Sequence, residues 1–311
     1  MTLRVAHLLV RRKGGGTETN VNRLCESVPG FFAWSLEDAG LLPLSAGNAL
    51  RAAAAIRALP ADVIFCYGIT MHALALAAFP LGKPLVGNIR CETDFAGKKA
   101  FLPLLAGRRF RPWISNSAAA LRGVRGRVIY NGIPEPPPDP PSHTGLRKPV
   151  MGILASGQPK KRHREFLAIW KDLGKPGTLL FGGNLGPELK AAAEAEGVLC
   201  PGFVEPGPFL RSLDLLLVPS SAEGLPTVLL EAMIRAVPAL ATPVGGVGEL
   251  IRHGENGYVL PLEKWAEFLA ALDVGRLSTL GAQAREDVRK DFGFEAMKAA
   301  FIEAAREAHA G

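Results

Sequence analysis

Short apolar runs alternate with segments of helical periodicity along almost the whole chain, and one proline run interrupts the alternation. In the first half the runs "LRVAHLLV" (3–10), "ADVIFCYG" (61–68), "KPLVGNIR" (83–90), "RPWISNS" (111–117) and "GRVIYNGI" (126–133) read as strands. Between them, "TETNVNRLCESV", "NALRAAAAIRAL", "ITMHALALAAF" and "AAALRGV" read as helices. Strands separated by helices of this length imply βαβ units and a parallel sheet. From Pro134 to Pro141 six of eight residues are proline. Proline has no amide hydrogen and a fixed φ, so neither a helix nor a central strand fits there. The alternation then restarts with "VMGILAS", "GTLLFGG", "DLLLVPS", "PALATPV" and "GYVLP" as strands and "RHREFLAIWKDL", "GPELKAAAEAEG" and "PTVLLEAMIRA" as helices. The expected fold is α/β, with two parallel-sheet domains and a stiff linker between them. The expected domains are 1–142 and 143–291, and the tail beyond them reads as helical. Two such sheets bind ligands beyond the carboxyl ends of their strands, so both can offer loops to one cleft.

The 311 residues suffice for two such domains. No apolar run approaches the length of a membrane span, and "MTLRVAHLLVRRKGGG" lacks the long apolar region and cleavage site of a signal peptide. The expectation is a cytoplasmic protein, able to lie peripherally at the inner face of the membrane. The four cysteines, Cys25, Cys66, Cys91 and Cys200, have neither metal-ligand spacing nor a disulfide pattern. Charge is uneven. Residues 1–142 hold 17 Lys and Arg against 9 Asp and Glu, so the whole net charge of +7 lies in that half. This asymmetry suggests an anionic partner: a phosphorylated acceptor, an anionic lipid surface or nucleic acid. Lys98, Lys99, Arg108, Arg109 and Arg111 lie among Phe101, Phe110 and Trp113, a mixture suited to an anionic bilayer surface. No nucleic-acid motif is present, and nucleic acid is not expected as a partner. His7, inside the first strand, and His72, on an apolar helix, read as packed core residues.

The chemistry concentrates in "PSSAEGLPTVLLEAM" (219–233), directly after a strand. Glu223 falls in the loop and Glu231 about a turn and a half into the following helix. A carboxylate accepts two charge-assisted hydrogen bonds from vicinal hydroxyls and so suits sugars. Backbone amides near Gly224, Leu225 and Thr227 suit a phosphate. Glu231 sits in "VLLEAMI", where a carboxylate needs a partner. Upstream, "ASGQPKKRHREFL" (155–167) gathers Lys160, Lys161, Arg162 and Arg164 at a helix start, where cations oppose the helix dipole. A cation beside a leaving diphosphate favours the transition state over the ground state.

"PSSAEGLPTVLLEAM", followed by "TPVGGVGELI" and "GENGYVLP", resembles the signature of the retaining glycosyltransferases of family 4, whose fold is GT-B: two Rossmann-like domains facing each other across a cleft. "PGFVE", "VIYNGIP" and "WISNSAAA" also resemble that family, densely in the second half and loosely in the first. The resemblance implies a transferase moving a sugar from a nucleoside-diphosphate donor, UDP- or GDP-linked, to an acceptor hydroxyl on a glycan or lipid-linked acceptor. The products would be polysaccharide, lipopolysaccharide or glycolipid. It implies catalytic roles for Glu223 and Lys161, and donor binding by Glu231, Gly224, Leu225, Thr227, Arg162, Gly15, Gly16, Gly202 and Phe203. It also implies that the C-terminal helix, about 292–311, packs back on the first domain. No cofactor and no metal are implied. Two departures stand out. Where the family pattern has an Arg five residues before its Lys, this chain has Ser156. Where many members have a His, it has Arg90, with Glu92 and Asp94 following as acceptor residues. The alternatives are a non-catalytic module binding sugar nucleotides or glycans, and a GT-B nucleotide-sugar hydrolase or epimerase.

Overall fold

In the computed structural model the described residues are 2–13, 15–78, 82–91, 109–121, 124–138 and 140–311. They form two compact units. The first comprises Met1–Gly132 with Phe294–Gly311, and the second Ile133–Gly293.

The first unit holds β1 (Val5–Leu9), α1 (Gly16–Ser27), β2 (Phe31–Ser35), α2 (Ala46–Ala58), β3 (Val63–Tyr67), α3 (Gly68–Ala77), β4 (Leu85–Ile89), β5 (Phe110–Ser115), α4 (Ala118–Leu121) and β6 (Arg127–Val128). Its six strands run parallel in the order β2-β1-β3-β4-β5-β6. Strands β1, β3 and β4 are buried along their whole length, which is why they are near-continuous apolar runs. One face packs Leu8, Ile64, Leu85 and Ile89 under α2 and α3. The other packs Val5, Leu9, Phe65, Tyr67 and Val86 under α1 and the C-terminal helix, through Val21, Leu24, Met297 and Phe301. Arg127 ties that helix down by bonds to Glu303, Glu307 and the Ala300 carbonyl.

The second unit contains β7 (Val150–Leu154), a 3₁₀ turn (Pro159–Lys161), α5 (His163–Asp172), β8 (Thr178–Gly182), α6 (Pro187–Ala195), β9 (Leu199–Gly202) and α7 (Pro206–Arg211). It continues with β10 (Leu215–Val218), α8 (Thr227–Met233), β11 (Ala239–Ala241), α9 (Val247–Leu250), β12 (Tyr258–Val259), α10 (Trp265–Ala270) and α11 (Leu277–Asp291). The final helix, α12 (Phe294–Ala310), returns to the first unit. Its strands run parallel in the order β12-β11-β10-β7-β8-β9. Counted from β7, this is the 3-2-1-4-5-6 order of a dinucleotide-binding sheet. The direction of winding reverses between β7 and β10, so the loops after those two strands diverge and leave a crevice at their carboxyl ends.

The proline run lies inside the second unit rather than at the boundary expected near 142. The chain crosses at Gly132–Ile133 because Ile133 pairs with Gly293 and donates its amide to the Phe292 carbonyl, pinning the outgoing and returning segments together. Arg285 and Arg289 pair with Glu135, so the start of the proline run is anchored to α11. Strands β2 and β9 and helix α7 are additions to the sequence reading. Two aromatic residues of the expected bilayer patch are core: Phe110 and Trp113 are buried against His72, while Arg109 and Arg111 beside them are exposed. Lys98, Lys99, Phe101 and Arg108 lie outside the described residues. Among the described residues no helix is long and apolar enough to cross a membrane.

Candidate functional site

The crevice of the second sheet is built from two loops that start on adjacent strands. Leu216 of β10 pairs with Gly152 of β7. After β7 the chain makes the 3₁₀ turn Pro159–Lys161, and after β10 it enters the loop that carries Glu223. The loops are latched: Ser221 donates its amide to the Lys160 carbonyl at 2.8 Å. That contact delivers Lys161 Nζ to Glu223 Oε1 at 2.5 Å. The two groups are 62 residues apart in sequence, and their side chains are only 20% and 11% exposed.

A third loop supports the carboxylate from the far side. Thr242 after β11 donates its hydroxyl to the Ser220 carbonyl, and the Gly246 amide donates to the Gly224 carbonyl at 2.6 Å. Gly245 has φ of +53°, and a Cβ there would lie 2.2 Å from the Glu223 carbonyl oxygen. Glycine is therefore required at 245 for both backbone sign and space. The apolar floor is Leu225, Leu229, Leu230 and Met233, all buried.

Gly224, Leu225 and Thr227 follow Glu223 directly and are buried. Glu231 is on α8, which buries Thr227, Leu229, Leu230, Ala232 and Met233. It shares the helix's partly exposed face with Val228, three residues earlier. Arg162 is half-buried and caps α5 in the left-handed region, at φ 52°. A non-glycine residue there is strained. His163 follows it, buried edge-on against Phe181 at 5.1 Å. Neither of its ring nitrogens has a hydrogen-bond partner. Burial, then the Lys161 charge, lowers its pKa to about 4, so it is neutral at pH 7. Ser156 is half-buried, Lys160 is exposed, and Arg164 reaches outward to Glu188. Gly202 ends the edge strand β9 with φ of +81°, and Phe203 beyond it is 87% exposed.

The remaining predicted residues belong to the first unit. Gly15 is the N-cap of α1 and Gly16 its first residue. The Gly15 backbone is extended, so its conformation does not demand glycine, and Thr17 lies inside the helix rather than capping it. Arg90, just beyond β4, donates to Thr17 Oγ1 at 3.4 Å and to Asn131 Oδ1 at 2.5 Å. Its guanidinium carbon lies 6.0 Å from the centre of the Tyr67 ring. The structure thus joins Arg90 to the helix that the glycines open. Glu92 and Asp94 lie outside the described residues. His7 and His72 are core residues, at 0% and 1% exposure. Among the described residues no three His, Cys, Asp or Glu side chains gather as they would around a metal ion. The sequence reading passed over Asn20, Asn88 and Asn131. Asn88 had a signal, since asparagine is disfavoured inside a buried strand.

Residues 148–274 match the family model described as "Glycosyl transferases group 1". That segment contains both halves of the Lys161–Glu223 crevice. The D-inositol 3-phosphate glycosyltransferase of Paenarthrobacter aurescens is 28% identical over 220 residues, covering 65% of this chain and 50% of the relative. The chain spans about a quarter of the length of other curated relatives that it matches. Among solved structures, the sucrose-phosphate synthase of Thermosynechococcus elongatus superposes with a TM-score of 0.81 at 16% identity, covering 99% of each chain. Anabaena Alr3699/HepE in complex with UDP-glucose superposes with a TM-score of 0.76 at 20% identity, covering 98% of this chain and all of that one. The fold is α/β of the GT-B kind, with two Rossmann-like parallel-sheet domains.

Proposed function

We propose that this chain is a glycosyltransferase that moves a sugar from a nucleoside-diphosphate donor to an acceptor hydroxyl with retention of anomeric configuration. The observation that carries the reading is the Lys161–Glu223 pair, at 2.5 Å where the winding of the second sheet reverses. A half-buried ammonium and a carboxylate in one crevice are what a sugar diphosphate requires. The ammonium meets the charge that grows on the diphosphate as the glycosidic bond breaks, so it acts most strongly in the transition state. The carboxylate accepts hydrogen bonds from hydroxyls of the transferred sugar.

In this reading Glu231 holds the ribose hydroxyls, and Gly224, Leu225 and Thr227 run beside the diphosphate. Gly202 and Phe203 border the base. Gly15 and Gly16 form the glycine loop of the first domain, and Arg90, Glu92 and Asp94 serve the acceptor. With retention, the departing phosphate oxygen takes the acceptor proton, so no protein base is assigned on that side. Lys161 and Arg162 neutralise the diphosphate, and the reading calls for no cofactor. The resemblance to Alr3699/HepE, solved with UDP-glucose, supports a uridine donor before a guanosine one. Surface polysaccharide, lipopolysaccharide or glycolipid synthesis, at the inner face of the membrane, suits the basic first half.

The test is thermal stabilisation by UDP, GDP, ADP and CMP in the wild type and in Glu231→Ala. A ligand at about 100 times its Kd adds roughly 2.7 kcal/mol. One nucleotide should shift the wild type by several degrees and leave Glu231→Ala unmoved. If none shifts either protein, the donor site is misassigned. Transfer to an acceptor pool, rather than free nucleotide or binding alone, separates the transferase from a hydrolase or a binding module.

A further inference from the structure

The loop that carries Glu223 is backed by a short helix whose far end rests on a buried carboxylate. Gly246, the N-cap of α9, donates its amide to the Gly224 carbonyl at 2.6 Å. Gly245 beside it leaves no room for a Cβ against the Glu223 carbonyl oxygen, so the two segments meet backbone to backbone. Helix α9 has four residues, barely one turn, and cannot fix its own direction.

Its other end is held by Asn256, which is 0% exposed. The Asn256 side chain accepts the Arg252 amide at 2.8 Å and donates to the carbonyl of Leu250, the last residue of α9, at 3.1 Å. It also donates to Asp287 Oδ2 on α11 at 2.7 Å. These partners settle which side-chain atom is nitrogen, because only the amide nitrogen can donate to a carbonyl and a carboxylate. Asp287 accepts further from the Arg252 guanidinium at 2.8 Å and from Gln283 at 3.0 Å. Burial pushes the Asp287 pKa up, but the hydrogen bonds from Arg252, Asn256 and Gln283 outweigh it and hold the carboxyl below its ordinary value. Asp287 is therefore ionised at pH 7, and its bonds are charge-assisted.

That carboxylate is not needed to hold α11 in place. The helix buries Leu277, Leu280, Gly281, Ala284 and Val288 along one stripe. The Asp287 side chain is 13% exposed, and apolar groups of similar volume would serve stability as well as a desolvated charge does. What the carboxylate supplies is direction. It fixes the plane of the Asn256 amide, and the amide fixes the Leu250 carbonyl.

We propose that Asp287 and Asn256 are positioning residues for Glu223. They set α9 from behind, and α9 sets the Gly224 backbone beside the carboxylate that holds the transferred sugar. The consequence for transfer rests on the transferase reading above, whereas the coupling of Asp287 to the Glu223 loop stands without it. Misplacing a reacting group by about 1 Å through a distant change can cost on the order of 100-fold in rate, and a loosened support should cost about tenfold.

The experiment compares the wild type with Asp287→Asn, Asn256→Asp and Gly281→Ala, each at a temperature where it is folded. Asp287→Asn keeps the shape and removes the charge. Asn256→Asp still accepts the Arg252 amide but cannot donate to the Leu250 carbonyl. Gly281→Ala strains α11 at another contact and so controls for lost stability. Amide hydrogen exchange in peptides covering 219–226 and 245–251 should quicken by about fivefold or more in Asp287→Asn and Asn256→Asp, and not in Gly281→Ala. With UDP-glucose as donor and a pool of acceptors, kcat should fall about tenfold in the same two variants and stay within about twofold of the wild type in Gly281→Ala. The Kd for free UDP should not rise in any of them, because UDP lacks the sugar that Glu223 holds. The proposal is overturned if exchange in 219–226 is unchanged in both network variants, or if Gly281→Ala loses as much kcat as they do. It is also overturned if UDP weakens in step with kcat, since the network would then hold the whole crevice rather than Glu223. Absence of transfer in the wild type would count against the transferase reading, and the exchange comparison would still decide the coupling.

Discussion

The Lys161–Glu223 contact makes opposite predictions for its two partners. Before a donor arrives, the ammonium is held by the carboxylate, with the side chains 20% and 11% exposed. A diphosphate must therefore compete with Glu223 for Lys161. Unit charges about 4 Å apart attract by about 4 kcal/mol at an effective dielectric near 20. Desolvation offsets much of this, and hydrogen bonds to charged groups contribute a net of about 1.5–3 kcal/mol. If half of that is lost when the diphosphate takes over the ammonium, removing the carboxylate's charge returns about 1 kcal/mol to binding, a factor of roughly five to ten in Kd.

Glu223→Gln should therefore bind free UDP about five- to tenfold more tightly than the wild type, while transfer from a UDP-sugar falls by about 100-fold or more. Lys161→Met should bind UDP at least tenfold more weakly. It should also unfold earlier, because it leaves the less exposed partner unpaired; breaking a buried pair this way costs about 3 kcal/mol. Isothermal titration with UDP, beside a transfer assay, reads both effects. If Glu223→Gln weakens UDP as Lys161→Met does, the carboxylate is positioning the loop rather than competing for the ammonium, and the argument from the pair fails.

Other consequences follow from single residues. Arg162 is held at φ 52°, so Arg162→Gly should leave the unliganded midpoint unchanged or slightly higher: relief of about 1–2 kcal/mol of strain is opposed by about 0.5–1 kcal/mol of added chain entropy. The same variant should weaken UDP several-fold by titration, because it removes a cation beside the diphosphate. His7 and His163 are buried neutral, with burial lowering their pKa values to about 3 and about 4 from 6.5. Between those values and 6.5 only the unfolded chain takes up the protons, so stability falls as pH falls below 6.5, by up to about 1.4 kcal/mol per pH unit for each histidine. Urea midpoints at pH 7.5 and pH 5 should show the loss, and His163→Phe should reduce it. Gly281 on α11 packs so closely that a Cβ would lie 2.0 Å from the Ala236 carbonyl oxygen. Gly281→Ala should lower stability by about 1–3 kcal/mol in a urea titration while UDP affinity in the folded protein stays the same.

The residues most legible in the sequence were those whose role is local. The buried strands β1, β3, β7, β8 and β10 are apolar runs bounded by Gly, Pro or charge, and Glu223 and Glu231 are marked by lying within one loop-and-helix segment. The edge strands were not legible. In β9, "LCPG", residues alternate between exposed and half-buried, and it contains a proline that only an edge strand tolerates. In β2, "FFAWS", three central residues are half-buried, so no run of core residues advertises it. The crossing point at Gly132–Ile133 was hidden for a different reason. Composition marked the proline run, but the boundary is set by the pairing of Ile133 with Gly293, a contact between distant parts of the chain.

The same distinction explains which site residues could be named and which could not. The cations at 160–164 oppose the dipole of the helix they open, a local anomaly, and the family resemblance singles out Lys161 among them. That it meets Glu223 depends on β10 returning to lie beside β7, and strand order leaves no mark in local sequence. Asn256 and Asp287 are the harder case. Each is an ordinary polar residue in sequence, and the bond between them exists only in the fold. The second unit therefore keeps an electrostatic imbalance where its winding reverses, the half-buried Lys161–Glu223 pair. A fold selected for stability alone would replace such a pair with apolar side chains of similar volume. Its coincidence with the reversal point, where an open parallel sheet leaves room for a ligand, is the physical reason to look for a substrate there.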